Sequence, residues 1–169
     1  MQNEIINRVA ESSLITINLE DYYTPGERVV YDLKGNLFQE IILKEKDFRA
    51  FVATHDWSQY QDKYVAIHCS TDAIVPGWAF MILASRIGPY AKKVVFGDLQ
   101  ALEQSLFQDA LAAMDPTRFQ DARIVVKGCG HLPISQFAYV EVVRLLRPVV
   151  SSIMYGEPCS TVPIYKRKK

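Results

Sequence analysis

The sequence lacks several features that would assign a protein to a class at first sight. Its three cysteines are too few and too widely spaced for a disulfide framework, and they favour a reducing compartment. Basic and acidic residues both number 19, so no net charge would attract nucleic acid or an anionic membrane. No apolar run approaches the roughly 20 residues of a membrane-spanning helix, and the first residues lack the order of a signal peptide. We therefore expect a cytoplasmic protein with no nucleic-acid and no membrane partner.

The length and composition are those of one globular domain. The chain has 169 residues, of which 49% are hydrophobic and 22% charged. We predict a single α/β domain over residues 1–169. In this prediction residues 1–62 form an N-terminal extension packed on a core of residues 63–156, and residues 157–169 form an extended tail.

The N-terminal third mixes helical and strand patterns. Apolar residues at helical spacing predict a short amphipathic helix over residues 4–11. Alternating or apolar runs predict strands over residues 14–19, 28–33 and 41–43. A further helical pattern predicts a helix over residues 45–54.

Three strands alternate with helices from residue 63 onward, which predicts parallel strands joined by right-handed crossovers. The core strands, first to third, are predicted over Lys63–Cys69, Lys93–Phe96 and Arg123–Lys127. We predict a three-layer α/β sandwich with a mostly parallel sheet in the order second-first-third. A helix starting near Pro133 should break near Pro148. Residues 159–165 read as an edge strand, because Pro163 would spoil a central one.

The cysteines lie where such a sheet could form a site. Cys69 ends the first core strand and Cys129 follows the third, so both should lie at the carboxyl edge, where open α/β sheets bind ligands. A break at Pro148 could bring Cys159 back toward them, and His131 lies two residues after Cys129. Three thiolates and an imidazole form a recognised zinc set, and thiolates also hold iron–sulfur clusters. The sequence thus predicts a zinc or iron–sulfur site at Cys69, Cys129, Cys159 and His131.

Two other interpretations of the cysteines stay open. A thiol near a helix N-terminus becomes more nucleophilic, so Cys69 or Cys129 could serve a thiol-dependent enzyme. Ser70, Thr71 and Asp72 would then line a pocket and cap the helix that begins near Pro76. Asp98 follows the second core strand, where a cap is favoured over a catalytic base. Alternatively, the cysteines are inert and buried, and the protein serves as an interaction partner.

Three stretches resemble a bacterial family of unknown function. They are Val65–Pro76, Lys127–Cys129 and Gly156–Lys166, and together they include all three cysteines. The resemblance implies no established activity or catalytic residue. It does imply a link with iron–sulfur cluster assembly, and therefore iron–sulfur assembly proteins as partners. A homo-oligomer also remains open.

Overall fold

The computed structural model describes residues 14–128, 130–157 and 159–168. Over these residues the chain forms seven strands and four α-helices. The strands are β1 (Leu14–Asn18), β2 (Arg28–Asp32), β3 (Tyr64–His68), β4 (Lys93–Phe96), β5 (Arg123–Lys127), β6 (Ser152–Glu157) and β7 (Ser160–Lys166). The helices are α1 (Glu45–Thr54), α2 (Gly77–Ile87), α3 (Leu99–Ala112) and α4 (Gln136–Leu146). The helix predicted over residues 4–11 lies outside the described residues.

The chain divides into two compact units. The split unit combines Met1–Thr24 with Leu106–Lys169, and the inserted unit comprises Pro25–Ser105. Each unit has its own sheet and its own cluster of buried apolar side chains. The boundary at residues 105 and 106 falls inside α3.

The inserted unit contains a parallel sheet in the order β2-β3-β4. Its middle strand, β3, is an unbroken apolar run in which Val65, Ala66 and Ile67 are all buried. Such a run is typical of a strand covered on both faces. The connections between successive strands contain α1 and α2, which bury Phe48 and Leu83 in the core of this unit.

The split unit contains a mixed sheet in the order β1-β5-β6-β7. Strands β1, β5 and β6 are parallel, and β7 is antiparallel to β6. Helix α4 connects β5 to β6 and buries Ala138, Val142 and Leu146 in the core of this unit. The last strand, β7, lies at the edge of the sheet and contains Pro163, as the sequence predicts.

The predicted α/β class is confirmed, whereas the guessed second-first-third strand order is wrong. The first and second core strands, β3 and β4, do pair. The third, β5, pairs with β1 and β6, and β2 takes the place beside β3. Strands consecutive in sequence are usually neighbours in a sheet. The prediction passed over β2 because it assigned that strand to an extension.

Two local predictions also need correction. Residues 41–43 form no strand, and Phe38 and Ile42 make only an isolated bridge. The last helix ends at Leu146, shortly before Pro148, as predicted, but residues 152–157 form β6, a strand absent from the prediction. Proline stops the helix because its ring excludes the preceding turn and it has no N–H to donate. The β-branched Ile153 and the aromatic Tyr155 then favour the strand.

The helices of the described residues are too short or too polar to cross a membrane.

Candidate functional site

Cys69 lies directly after β3, at the carboxyl end of the inserted unit's middle strand. Its side chain is half-buried and packs against the apolar core of that unit. The sulfur lies 3.7 Å from the carbonyl oxygen of Thr71, to which the thiol donates a weak hydrogen bond. The thiol thus has a backbone partner, and among the described residues no basic side chain forms a hydrogen bond with it.

The loop after Cys69 does not cap helix α2. The N-cap of α2 is Pro76, which makes no side-chain cap hydrogen bond. The prediction that Ser70, Thr71 or Asp72 caps this helix is therefore wrong. These residues stand at least four positions before the N-cap, too early in the chain to reach the free amides of the first turn.

Ser70 instead fastens its loop to the neighbouring strand. The Ser70 amide donates to Oδ1 of Asp32 at 3.0 Å, and the Ser70 hydroxyl donates to Oδ2 of Asp32 at 2.5 Å. Asp32 also accepts a hydrogen bond from the amide of Lys34. The Ser70 hydroxyl therefore donates to a carboxylate that already serves a structural role, which is not the arrangement of a nucleophile and its base.

The carboxyl of Asp32 is shaped electrostatically by this network. Partial burial raises its pKa. The hydrogen bonds from Ser70 and Lys34, together with the nearby His68, lower the pKa by more than burial raises it. The net result is a pKa below the ordinary value of 3.8. Asp32 is thus ionised over the whole neutral pH range, because the groups that donate hydrogen bonds to it stabilise the charged form.

Asp98 has the capping role that the sequence favours. Its Oδ1 accepts a hydrogen bond from the amide of Ala101 at 2.9 Å, at the start of α3. The carbonyl of Asp98 also accepts from the amide of Leu102. Both contacts satisfy free amides of the first turn.

Three of the four predicted metal ligands lie among the described residues. Cys69 belongs to the inserted unit, whereas His131 and Cys159 belong to the split unit and are exposed. Cys129 lies outside the described residues. Its strand, β5, belongs to a different sheet from β3, so the prediction that Cys69 and Cys129 end neighbouring strands is wrong. Within the described ranges, no three His, Cys, Asp or Glu side chains are grouped to hold a metal ion.

Glu20 is a contact residue that the sequence did not reveal. It follows β1, and its Oε1 accepts a hydrogen bond from the amide of Leu132 at 2.8 Å. Gly130 lies so close to this carboxylate that a side chain at Gly130 would collide with it. The only sequence signal was the pair Gly128 and Gly130, since glycine permits close approach of another group to the backbone.

The split unit carries an apolar groove beside helix α4. Its volume is about 540 Å³, within the roughly 300–1,000 Å³ of small-molecule sites. One wall comes from α4, and the other comes from β5, β6 and β7. The lining residues are Val126, Gln136, Tyr139, Val140, Val142, Val143, Ile153, Met154, Tyr155 and Ile164.

The groove follows from the order of the secondary structure elements. A helix connects β5 to β6, and its apolar side chains cover the sheet. After β6 the chain turns straight back into β7, so no crossover helix lies beside α4. Val140 is 71% exposed and Ile164 is 51% exposed on this side, while Val142 and Ile153 at the base are buried.

Three polar side chains line the groove among the apolar ones. The Tyr139 hydroxyl donates to the carbonyl oxygen of Gly128 at 3.0 Å, and its ring meets that of Tyr155 edge-on at 5.9 Å. Gly128 permits this approach, because a side chain there would collide with the Tyr139 hydroxyl. Gln136 is exposed at the first position of α4, and among the described residues no group hydrogen-bonds to its amide.

Comparison with known proteins places the chain in a family but adds no activity. No curated protein and no solved structure matches the sequence. Residues 3–167 match the family described as protein of unknown function (DUF2480). This match spans nearly the whole chain, and it agrees with the resemblance found in the cysteine-containing stretches. The chain therefore belongs to the DUF2480 family.

Proposed function

We propose that this protein is a binding protein that holds a small apolar molecule in the groove between α4 and the β6–β7 hairpin. The observation that supports this most directly is the groove itself, an open apolar concavity of about 540 Å³ whose base reaches buried core residues. Apolar concavities with a few polar groups are the usual form of a ligand site.

The surroundings of the predicted catalytic residues also favour binding over thiol chemistry. The Cys69 thiol donates to a backbone carbonyl, and the Ser70 hydroxyl donates to Asp32. Asp98 caps α3. Each group has a structural partner, and among the described residues no histidine hydrogen-bonds to the Cys69 thiol or to the Ser70 hydroxyl.

The thiolate site for zinc or an iron–sulfur cluster stays a prediction. Cys129 lies outside the described residues, and the described ligands form no group of three. The associated link to iron–sulfur assembly proteins rests on the family resemblance alone. We therefore prefer ligand binding in the groove to metal binding as the account of this protein's function.

Binding of Nile red, an uncharged apolar dye that fluoresces in apolar surroundings, tests the proposal. We expect saturable binding with a dissociation constant on the order of 10 μM, since apolar contacts of drug-sized ligands contribute about 0.3 kcal/mol per atom. Val140→Glu should weaken binding at least about tenfold, because it places a charge against the apolar ligand. Met81→Glu is the matched control, since Met81 on α2 is exposed to nearly the same degree, at 73%, but belongs to the inserted unit and does not line the groove.

Three outcomes would count against the proposal. One is the absence of saturable dye binding, and another is equal weakening by Val140→Glu and Met81→Glu. The third involves the N-terminal residues. The sequence predicts an amphipathic helix over residues 4–11, and its apolar side would compete with the dye for the groove. If a chain without residues 1–11 bound the dye at least tenfold more tightly, the groove would belong to that segment rather than to a ligand.

A further inference from the structure

We infer that the ligand of this groove is an uncharged amphipathic molecule, with a compact apolar body and one hydrogen-bonding group that meets the side-chain amide of Gln136. The inference rests on the proposed function and specifies the class of ligand.

The first argument is the absence of charge in the groove walls. Among the described residues that line the groove, none carries a formal charge. An ionised group that enters apolar surroundings without a partner loses its hydration and gains nothing comparable. The groove should therefore discriminate against ligands whose charge would lie inside it.

Several charged side chains on the surrounding elements are engaged elsewhere. Glu141 and Arg144 on α4 form a close ion pair with each other. Lys127 and Glu157, at the ends of β5 and β6, form another at 3.0 Å. Arg147 follows α4 and lies over the ring of Tyr165, 5.2 Å from its centroid, and it does not line the groove. None of these groups lines the groove, and neither does Lys166 at the end of β7.

The second argument is the position of the polar groups. Gln136 opens α4, and Tyr139 lies one turn further along the helix. Tyr155 contacts Tyr139 from β6, so the two tyrosines and the start of α4 belong to one end of the groove. Val143 and Ile164 supply apolar surface elsewhere in the lining. A molecule with one polar end and one apolar end matches this distribution.

Gln136 is the polar group best suited to meet the ligand. The Tyr139 hydroxyl already donates to the Gly128 carbonyl. The amide of Gln136 has no hydrogen-bond partner among the described residues, and it can both donate and accept. The ligand's polar group can thus be either a donor or an acceptor, provided it is uncharged.

Competition with Nile red by three naphthalenes of nearly equal size tests the inference. The three are naphthalene carboxamide, naphthalene carboxylate and methylnaphthalene, which differ in whether the substituent is polar, charged or apolar. We expect the carboxamide to compete at least about tenfold better than the carboxylate at neutral pH, because the groove lining offers the carboxylate a neutral amide but no positive charge. Gln136→Leu should weaken the carboxamide about fivefold, the usual worth of one net hydrogen bond. The same variant should leave methylnaphthalene unchanged within twofold.

Gln108→Leu is the matched control, because Gln108 is an exposed glutamine in helix α3 that does not line the groove. Equal or better competition by the carboxylate would overturn the inference, and so would an equal effect of Gln136→Leu on all three compounds or no effect on the carboxamide. In each of these cases Nile red still binds, so the proposed function survives. If Nile red does not bind at all, the proposed function itself fails.

Discussion

Each strand of the inserted unit's sheet is followed by a helix, whereas the last parallel strand of the split unit, β6, is followed directly by the antiparallel strand β7. The inserted unit also has a cleft between α1 and α2, but it is small, about 230 Å³, and two of its lining residues are Arg49 and Arg86. The groove of the split unit is more than twice as large and has no charged lining residue among those described. Replacing one crossover helix by a hairpin therefore changes a covered sheet face into a concave apolar surface.

An exposed apolar side chain does not by itself distinguish the units. Met81 on α2 is 73% exposed and Val140 on α4 is 71% exposed. Single exposed apolar residues are normal on protein surfaces. Val140 differs because it borders a concavity whose base is the buried core, and it is this continuity that gives the groove its capacity for a ligand.

The largest expected effect on stability comes from comparing a buried residue of the inserted unit with an exposed residue of the groove. Phe48 on α1 is 1% exposed and packs in the core of the inserted unit. Phe48→Ala should lower the free energy of unfolding by about 3–5 kcal/mol, because it removes a buried ring and leaves a cavity. Val140→Ala, which shortens a side chain that already faces solvent, should change it by less than about 0.5 kcal/mol. Urea unfolding of the three proteins measures both values, and a loss above 2 kcal/mol for Val140→Ala would mean that the groove is covered in the folded protein.

The fold was predictable from sequence to the extent that local patterns determine it. Helix and strand positions from β3 to β5 agree with the apolar runs and the glycine and proline punctuation. Strand partners were not predictable, because β1, β2 and β5 are all short apolar strands and nothing in their composition distinguishes their neighbours. The strand β6 was missed, although its partner β7 was predicted, because Ile153, Met154 and Tyr155 fit a helix as well as a strand.

The candidate site was less predictable than the fold. Asp98 was assigned correctly because capping is a local interaction. The partner of Ser70 is Asp32, 38 residues earlier in the chain, and no local pattern indicates that contact. The groove was not predicted at all. The groove forms because β6 is followed by β7 rather than by a crossover helix. In the sequence, the apolar residues that line the groove look like ordinary core positions.

A middle-sized effect concerns the carboxylate that fastens the loop of the inserted unit. Asp32→Asn should lower the free energy of unfolding by about 1–2 kcal/mol at pH 7, because it weakens the charge-assisted hydrogen bonds from Ser70 and Lys34. Asp72→Asn is the matched control, since Asp72 lies in the same loop and has no hydrogen bond among the described residues. Equal losses for both substitutions would show that charge in the loop matters and the Asp32 contacts do not.

The pH dependence of that difference gives an independent check. The pKa of Asp32 is lowered in the folded protein, so the folded state binds its proton less readily than the unfolded state does. The stability from Asp32 is therefore fully present above its ordinary pKa of 3.8 and is lost as the pH falls through the lower folded value. The gap between wild type and Asp32→Asn should be constant at neutral pH and shrink below about pH 4. A gap that widens on acidification would mean that the direction of the shift is wrong.

The smallest expected effects on stability are those of serine substitutions at the two described cysteines, one in each unit. Cys69 is half-buried on the core of the inserted unit, and Cys159 is exposed beside the β6–β7 turn. Cys69→Ser should cost about 1 kcal/mol, because it places a hydroxyl against apolar neighbours. Cys159→Ser should change the free energy of unfolding by less than about 0.5 kcal/mol.

Thiol labelling of the same proteins distinguishes the three interpretations of the cysteines. In a Cys129→Ser background, the exposed Cys159 should react with a maleimide at least about tenfold faster than the half-buried Cys69, because the reagent reaches it more easily. The native protein, purified without oxygen, should label at the same rate before and after treatment with a chelator. If its labelling instead accelerates when the chelator removes zinc or iron, the cysteines hold a metal, since bound thiolates are protected until the metal leaves. If Cys69 proves to be the faster thiol, its half-buried position does not limit its reactivity, and the thiol-enzyme interpretation takes the place of the binding protein.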